Sequence, residues 1–398
     1  MLLIIKRYLN FKCVLLFFSL IAAWPCVFYL MGFLPDYKIN IILLSFLGLT
    51  YYLINQKHVC PLPKSLRIII SVQILTWILY AIIHFDTSYI TRIVYIITTV
   101  IVLLVDNKGG RQLLIRIFVY WVTLQCLLSA IGFILCFLGL LEPISTFEEM
   151  DGRTGYNFGI CTSNVYIGDL IRPSGFYDEP GALACWGIYA LVINKLFIKK
   201  RIIEYVLLIS LIATLSLAFF IQAFLYLILY YKKHIKKLLV LFAFLLLLIL
   251  SLISQNPIIE DNTVGRLKYD KTEGTISGDN RSDLRKNAKK VFYLSPIIGV
   301  GATKLVTNYE NINSNEYTFL ACDGILGVFI TLLPFFYLFK LGNKRIEIRY
   351  AVIILAVGLL QRPFDFNQLL FPLIVYSLIK VSLIQNERIQ ELVVKSQI

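Results

Sequence analysis

The sequence predicts an all-α polytopic membrane protein of about 12 transmembrane helices carrying two large extracytoplasmic loops. Three observations lead there. The 398 residues are 58% hydrophobic and only 16% charged, with a mean hydropathy of +0.77, whereas soluble domains are roughly 45–50% apolar. Apolar runs long enough to cross a bilayer recur along the chain. Lys and Arg concentrate in alternate connections, as the positive-inside rule requires. The chain therefore reads as a single integral membrane domain over residues 1–398.

Spans are expected near 13–34, 39–55, 66–84, 90–105, 113–141, 181–197, 202–216, 217–231, 238–253, 317–339, 349–361 and 367–383. Lys6, Arg7 and Lys12 precede the first. It is longer than a signal-peptide core and no small-residue cleavage site follows, so it reads as a retained span. The run from Ile202 to Tyr231 has Lys195, Lys199, Lys200 and Arg201 before it and Lys232, Lys233, Lys236 and Lys237 after it. Basic flanks on both sides call for an even number of crossings, which a hairpin near Thr214–Ala218 supplies. The competing reading is one long tilted helix and one span fewer.

The net charge of +14 first suggests nucleic acid. Its placement assigns it instead to cytoplasmic segments facing anionic lipid, with the external segments net acidic. Both termini are then cytoplasmic, and no nucleic-acid partner is expected. Eight cysteines are scattered without a CxxC pair, and Cys161 alone falls in an external loop. That pattern speaks against a disulfide framework or a zinc site. His58, His84 and His234 are equally dispersed, and neither a metal nor a cofactor is expected.

Two external loops, 142–180 and 254–316, are too long to be connectors, and such loops are usually functional. The first ends in Arg172-Pro-Ser-Gly175-Phe-Tyr-Asp-Glu179-Pro180 at the membrane boundary. Pro180 suits a helix start with Glu179 at its N-terminus. Glu179 could cap that helix and Arg172 touch lipid phosphate, or both could face a substrate. The second holds Arg281, Arg285 and Lys289, one helical turn apart, with Leu284, Ala288 and Val291 beside them. Such a helix suits a lipid-linked pyrophosphate, because Arg binds phosphate in a two-point fork. It equally suits headgroup binding alone.

Gly299-Val300-Gly301 follows and lacks the third glycine of a dinucleotide site; a turn back to the membrane is the simpler account. Asn313-Ser-Asn315-Glu316-Tyr317 leads into a span that carries Asp323-Gly324 and Gly327. Asp323 lies about two turns inside and needs a partner or a cavity. Its roles as a structural ion pair and as a functional group both stand. The glycines suit close helix packing.

At these residues the chain resembles the O-antigen polymerase and O-antigen ligase superfamily. The matching blocks are Arg172 through Gly175, Glu179 and Pro180 to Ala184; Arg281 to Lys290, continuing through Pro296, Gly299 and Gly301; and Asn313 to Gly327. Order and topology match from about residue 100 to about residue 384. The resemblance implies a GT-C-like helical fold in the bacterial cytoplasmic (inner) membrane. It implies an undecaprenyl-pyrophosphate-linked glycan as substrate, membrane lipid around it, and a chain-length regulator as a candidate partner. Polymerases move the growing glycan onto the next lipid-linked repeat unit; ligases move it to the lipid A core. Carried over, Arg172 with Arg281 and Arg285 would hold the pyrophosphate and stabilise charge on the leaving group. Glu179 would orient or deprotonate the acceptor hydroxyl, with Glu316 and Asp323 as alternatives. Lys289, Asn315, Glu316 and Asp323 would contact substrate. Ligases carry a His near the start of the third block, where this chain has Asn313 and Asn315, which favours polymerase over ligase. A flippase or transporter is the reading from another class, with Asp323 and the 202–231 hairpin as the features in its favour.

Overall fold

The computed structural model describes residues 11–22, 27–34, 37–54, 62–106, 113–149, 152–167, 170–232, 240, 243, 247, 251, 269–270, 275–276, 282–309, 312, 315–361 and 369–395. It is mostly helical. The helices are α1 (Phe11–Ala22), α2 (Val27–Leu30), α3 (Tyr37–Ile54), α4 (Lys64–His84), α5 (Ser88–Val105), α6 (Leu113–Phe137), α7 (Pro180–Ile193), α8 (Arg201–Ser210), α9 (Leu217–Tyr230), α10 (Ser282–Leu294), α11 (Ala302–Asn308), α12 (Glu316–Leu341), α13 (Ile346–Gln361) and α14 (Leu370–Lys395). A π turn (Asn194–Ile198) extends α7 and a 3-10 turn (Leu211–Thr214) extends α8. The expected span near 238–253 lies largely outside the described residues.

Among the described residues, five helices are long and apolar enough to cross a membrane: Lys64–His84, Ser88–Val105, Leu113–Phe137, Pro180–Ile198 and Glu316–Leu341. Shorter apolar helices join them. The bundle turns apolar side chains outward, as α4 illustrates with exposed Ile68, Leu75, Leu79 and Ile82. Water would not tolerate a patch of that extent; hydrocarbon does. α7 is apolar on all sides and buried on nearly all. It is the central post against which α6, α8, α9 and α13 pack.

The first span, expected over 13–34, is helical over Phe11–Ala22 and over Val27–Leu30, and residues 23–26 lie outside the described residues. One sequence expectation is corrected: an all-α fold is too simple. The first loop forms a four-stranded antiparallel meander, β1 (Ser145–Glu148), β2 (Thr154–Asn157), β3 (Thr162–Ile167) and β4 (Leu170–Gly175). β4 lies on α6. At a register shift in β3, the Ser163 hydroxyl accepts from the backbone N–H groups of Val165 and Arg172 and also donates to Arg172 O at 2.7 Å. The second loop contributes a short hairpin, β5 (Tyr269–Asp270) with β6 (Thr275–Ile276), then α10 and α11.

The run from Ile202 to Tyr231 is two helices that reverse at Leu215, whose φ is +49°. Glu204 near the start of α8 accepts hydrogen bonds from Tyr226 and Tyr231 near the end of α9, each at 2.5 Å. Lys195 reaches the same carboxylate at 3.3 Å. That end of the bundle also holds Tyr230, donating to Glu347 O at 2.7 Å, and Lys380, donating to Leu103 O and Asp106 O. The opposite end holds the sheet, the hairpin tip and the α4–α5 connection.

Candidate functional site

The conspicuous feature of the second loop is how it enters α12. That helix is broken at Gly324 (φ 66°, ψ −178°). A break frees two carbonyls on one side and two N–H groups on the other, which must find partners in an apolar setting. The tract Ser295–Gly301 supplies them. Val300 N donates to Ala321 O at 2.9 Å and Gly301 N to Cys322 O at 3.0 Å. Ile325 N donates to Pro296 O at 2.9 Å and Leu326 N to Ile297 O at 3.0 Å. The approach is so close that a Cβ on Gly299 would fall 2.1 Å from Cys322 O, and one on Gly324 2.3 Å from Ile297 O. Gly299 and Gly324 also have positive φ, which side chains resist. Backbone entry, more than helix-to-helix packing, is what Gly324 serves.

Beneath the break lies Asp323, fully buried. Arg92 Nη1 meets its Oδ2 at 2.6 Å, and Tyr89 donates to its Oδ1 at 3.0 Å. The Tyr80 hydroxyl donates to its backbone oxygen at 2.9 Å. The Arg92 guanidinium sits 4.7 Å from the Trp77 ring centre and 4.8 Å from that of Tyr89, so its charge rests on aromatic faces as well as on the carboxylate. α4, α5 and α12 are thus tied at one point. A small cleft of about 30 Å³, lined by Gln73, Trp77, Arg92, Thr331 and Tyr376 among others, opens beside it. Asp86, in the α4–α5 connection, clamps the second loop separately. Its carboxylate accepts from Thr303 N and Thr303 Oγ1, both at 2.7 Å, and from Ser88 N at 2.9 Å. Burial alone would raise this carboxyl. The hydrogen bonds from Thr303 and Ser88 overcome it and hold the group at about 2.

α10 is fixed on this base. Its Ala288 and Val291 are buried in a cluster with Leu305, Ile312, Ala321 and Cys322. Alongside this buried face the helix carries exposed cations. Arg285 forks onto Glu316, Nε to Oε1 at 2.7 Å and Nη2 to Oε2 at 3.5 Å. Lys289 lies over the Tyr317 ring at 5.9 Å. Arg285 and Glu316 side chains are 51% and 34% exposed, so both can meet a ligand from outside. Asn315 is buried and is the N-cap of α12: its Oδ1 accepts from Tyr317 N and Thr318 N, and its Nδ2 donates to Ile312 O. Arg281, Asn313 and Ser314 lie outside the described residues.

The first-loop candidates occupy a second cluster. Glu179 is the N-cap residue of α7, with Pro180 at the first helical position, and its side chain makes no cap hydrogen bond. It faces Arg153, Oε2 to Nη2 at 3.6 Å; Arg153 also meets buried Glu149 at 3.4 Å. Arg172 aims at the hairpin tip, Nε to Thr214 O at 3.3 Å and Nη2 to Leu215 O at 3.4 Å. The structure therefore brings Arg285, Lys289, Asn315, Glu316 and Asp323 onto one scaffold of α10 and α12, and Arg172 and Glu179 onto another of β4 and α7. Sequence reading missed Arg92, Arg153 and Glu149. Arg92 had a signal, a cation five residues into an apolar helix that needs a carboxylate such as Asp323. Arg153 and Glu149 had none beyond their charge.

Among the described residues, no three His, Cys, Asp or Glu side chains converge as a metal site would need. Compared with protein-family models, curated proteins and solved structures, the chain matches none of them.

Proposed function

We propose that the protein polymerises undecaprenyl-pyrophosphate-linked oligosaccharide repeat units into O-antigen or a related surface polysaccharide, as a glycosyltransferase at the outer face of the bacterial inner membrane. The observation that carries the reading is α10: an exposed row of cations, docked by its apolar face onto a helix that enters the membrane domain. Arg285 and Lys289 would hold the pyrophosphate, with Arg281 and Arg172 as the further cations. Arg285 would exchange its fork on Glu316 for phosphate oxygens, releasing that carboxylate at the same place. Glu179 remains the proposed group that orients or deprotonates the acceptor hydroxyl, with Glu316 the alternative. Asp323, held by Arg92, would act as a positioning residue beneath them. In this reading about 12 helices cross the membrane in a GT-C-like bundle. Both termini are cytoplasmic, and the sheet end faces outward. A chain-length regulator would be a partner.

A second reading, a flippase or transporter, draws on the broken helix beside an intramembrane ion pair, a feature of transporter binding sites. The backbone groups described at this break are already taken by Ser295–Gly301, which leaves it less suited to coordinating cargo.

Deleting the gene and analysing surface and lipid-linked glycans separates the readings. Loss of the polymer ladder with single repeat units still exported supports the polymerase. Full-length polymer stranded on the carrier lipid means a ligase, and repeat units trapped inside mean a flippase.

A further inference from the structure

Cys161 and Cys136 looked unrelated in the sequence, one in a loop and one in a span. The structure places them in one buried cluster with Phe158 and Ile171. Cys136 is in the last turn of α6, and Cys161 is on the approach to β3. The cysteine sulfur lies against α6 at Gly132, where an added Cβ would come within 2.5 Å of it. Gly132 and Cys136 are four residues apart, hence neighbours on one helix face. The sulfur of Cys161 thus rests on the face that carries Cys136. Cys136 is 1% exposed and Cys161 0%.

We infer that Cys136 and Cys161 are joined in the mature protein as a disulfide that staples the first-loop sheet to the outer end of α6. The inference rests on the proposed outward orientation of that end, since disulfides persist in the oxidising extracytoplasmic compartment. The staple would fix β4, and with it Arg172 and the start of α7 at Glu179.

The chemistry balances as two thiol–disulfide exchanges with a disulfide-bearing oxidoreductase of that compartment. The Cys161 thiolate attacks one sulfur of the oxidant, whose second sulfur leaves as a thiolate. The Cys136 thiolate then attacks the Cys161 sulfur in the mixed disulfide and expels the oxidant's first sulfur. The protein loses two protons and two electrons, and the oxidant becomes a dithiol. Burial, with Cys136 as a neighbour, pushes the packed Cys161 thiol up to about 12, so little thiolate exists once the sheet is seated. Oxidation therefore belongs to the stage before the sheet docks.

The test is peptide mapping of the full-length protein from membranes of its own host, blocked with N-ethylmaleimide in denaturant without reductant. The expected result is a linked peptide containing Cys136 and Cys161, resolved into two alkylatable peptides after reduction. A Cys136→Ser variant should then leave Cys161 fully alkylated. Recovery of both residues as maleimide adducts without reduction would overturn the inference, as would either one linked elsewhere. An alkaline phosphatase fusion after Glu273 identifies which premise failed. Activity with both thiols alkylated rejects the disulfide and keeps the orientation; an inactive fusion rejects the orientation too.

Discussion

Replacing Asp323 with Leu while keeping Arg92 would strand a guanidinium inside the bundle. The two charges are 2.6 Å apart, and at an effective dielectric near 20 their gross attraction is about 6 kcal/mol. Part of that is offset by what the pair loses in leaving water. Contact with Trp77 and Tyr89 keeps some stabilisation for the arginine, about 0.5–2 kcal/mol. The net cost of removing one partner from a buried pair is then about 3–5 kcal/mol. Arg92→Met should cost a similar amount, because among the described residues it leaves the carboxylate with the Tyr89 hydroxyl and the Cys322 thiol. The double variant removes both charges and should recover most of the loss, giving a coupling of at least about 2 kcal/mol. The assay is unfolding of the purified protein in detergent, with all four forms compared. Single variants within about 0.5 kcal/mol of the parent, or additive losses in the double, would refute the claim that this pair ties α4, α5 and α12 together.

Four other outcomes are expected. Gly299→Ala and Gly324→Ala should each cost at least about 2 kcal/mol and sharply lower folded yield, since the new methyl meets backbone at positive φ; Gly181→Ala, with nothing within 4 Å, should be silent in the same yield measurement. Asp86→Asn should cost about 1 kcal/mol, the scale of a lost helix cap. Because the folded carboxyl is held at about 2 against an ordinary 3.8, its contribution is present above about pH 4 and disappears as pH falls toward 2. The stability gap between parent and variant should therefore be flat from pH 8 to about 5 and close below about 4. Arg285→Ala should abolish chain extension with protein level unchanged, because its exposed ion pair with Glu316 contributes at most about 1 kcal/mol; a normal glycan ladder would remove its pyrophosphate role. Glu179→Gln should reduce turnover more than donor binding, and a fall in protein abundance alone would assign it to holding Arg153.

The helices were legible because lipid-facing segments announce themselves by composition. The hairpin at Leu215 was readable from the lysines flanking Ile202–Tyr231, a charge signal that needs no tertiary information. The cationic helix was legible from the spacing of Arg285 and Lys289, and its docking from Ala288 and Val291 beside them. The sheet was not. Its strands are short and irregular, with Pro173 inside β4 and a register shift at Ser163, so no period-two pattern stands out. The break in α12 was invisible for another reason. Gly324 and Gly327 look like ordinary small packing residues, and only the arrival of Ser295–Gly301 makes one of them a break. Asn315 could be named as a polar residue before a span, but its capping role depends on where α12 begins. Arg92 could have been paired with Asp323 by charge balance alone; Arg153 could not have been paired with Glu179 without the fold of the loop between them.

The proposed activity is extension of a lipid-linked glycan. Its most direct test is reconstitution of the purified protein in liposomes with undecaprenyl-pyrophosphate-linked repeat units from its own host, followed by gel analysis of the lipid-linked products. The expected products are a ladder of longer glycans on the carrier lipid and released pyrophosphate-bearing carrier, with no ladder for Arg285→Ala. Repeat units recovered at their original length from folded, correctly inserted protein would contradict it.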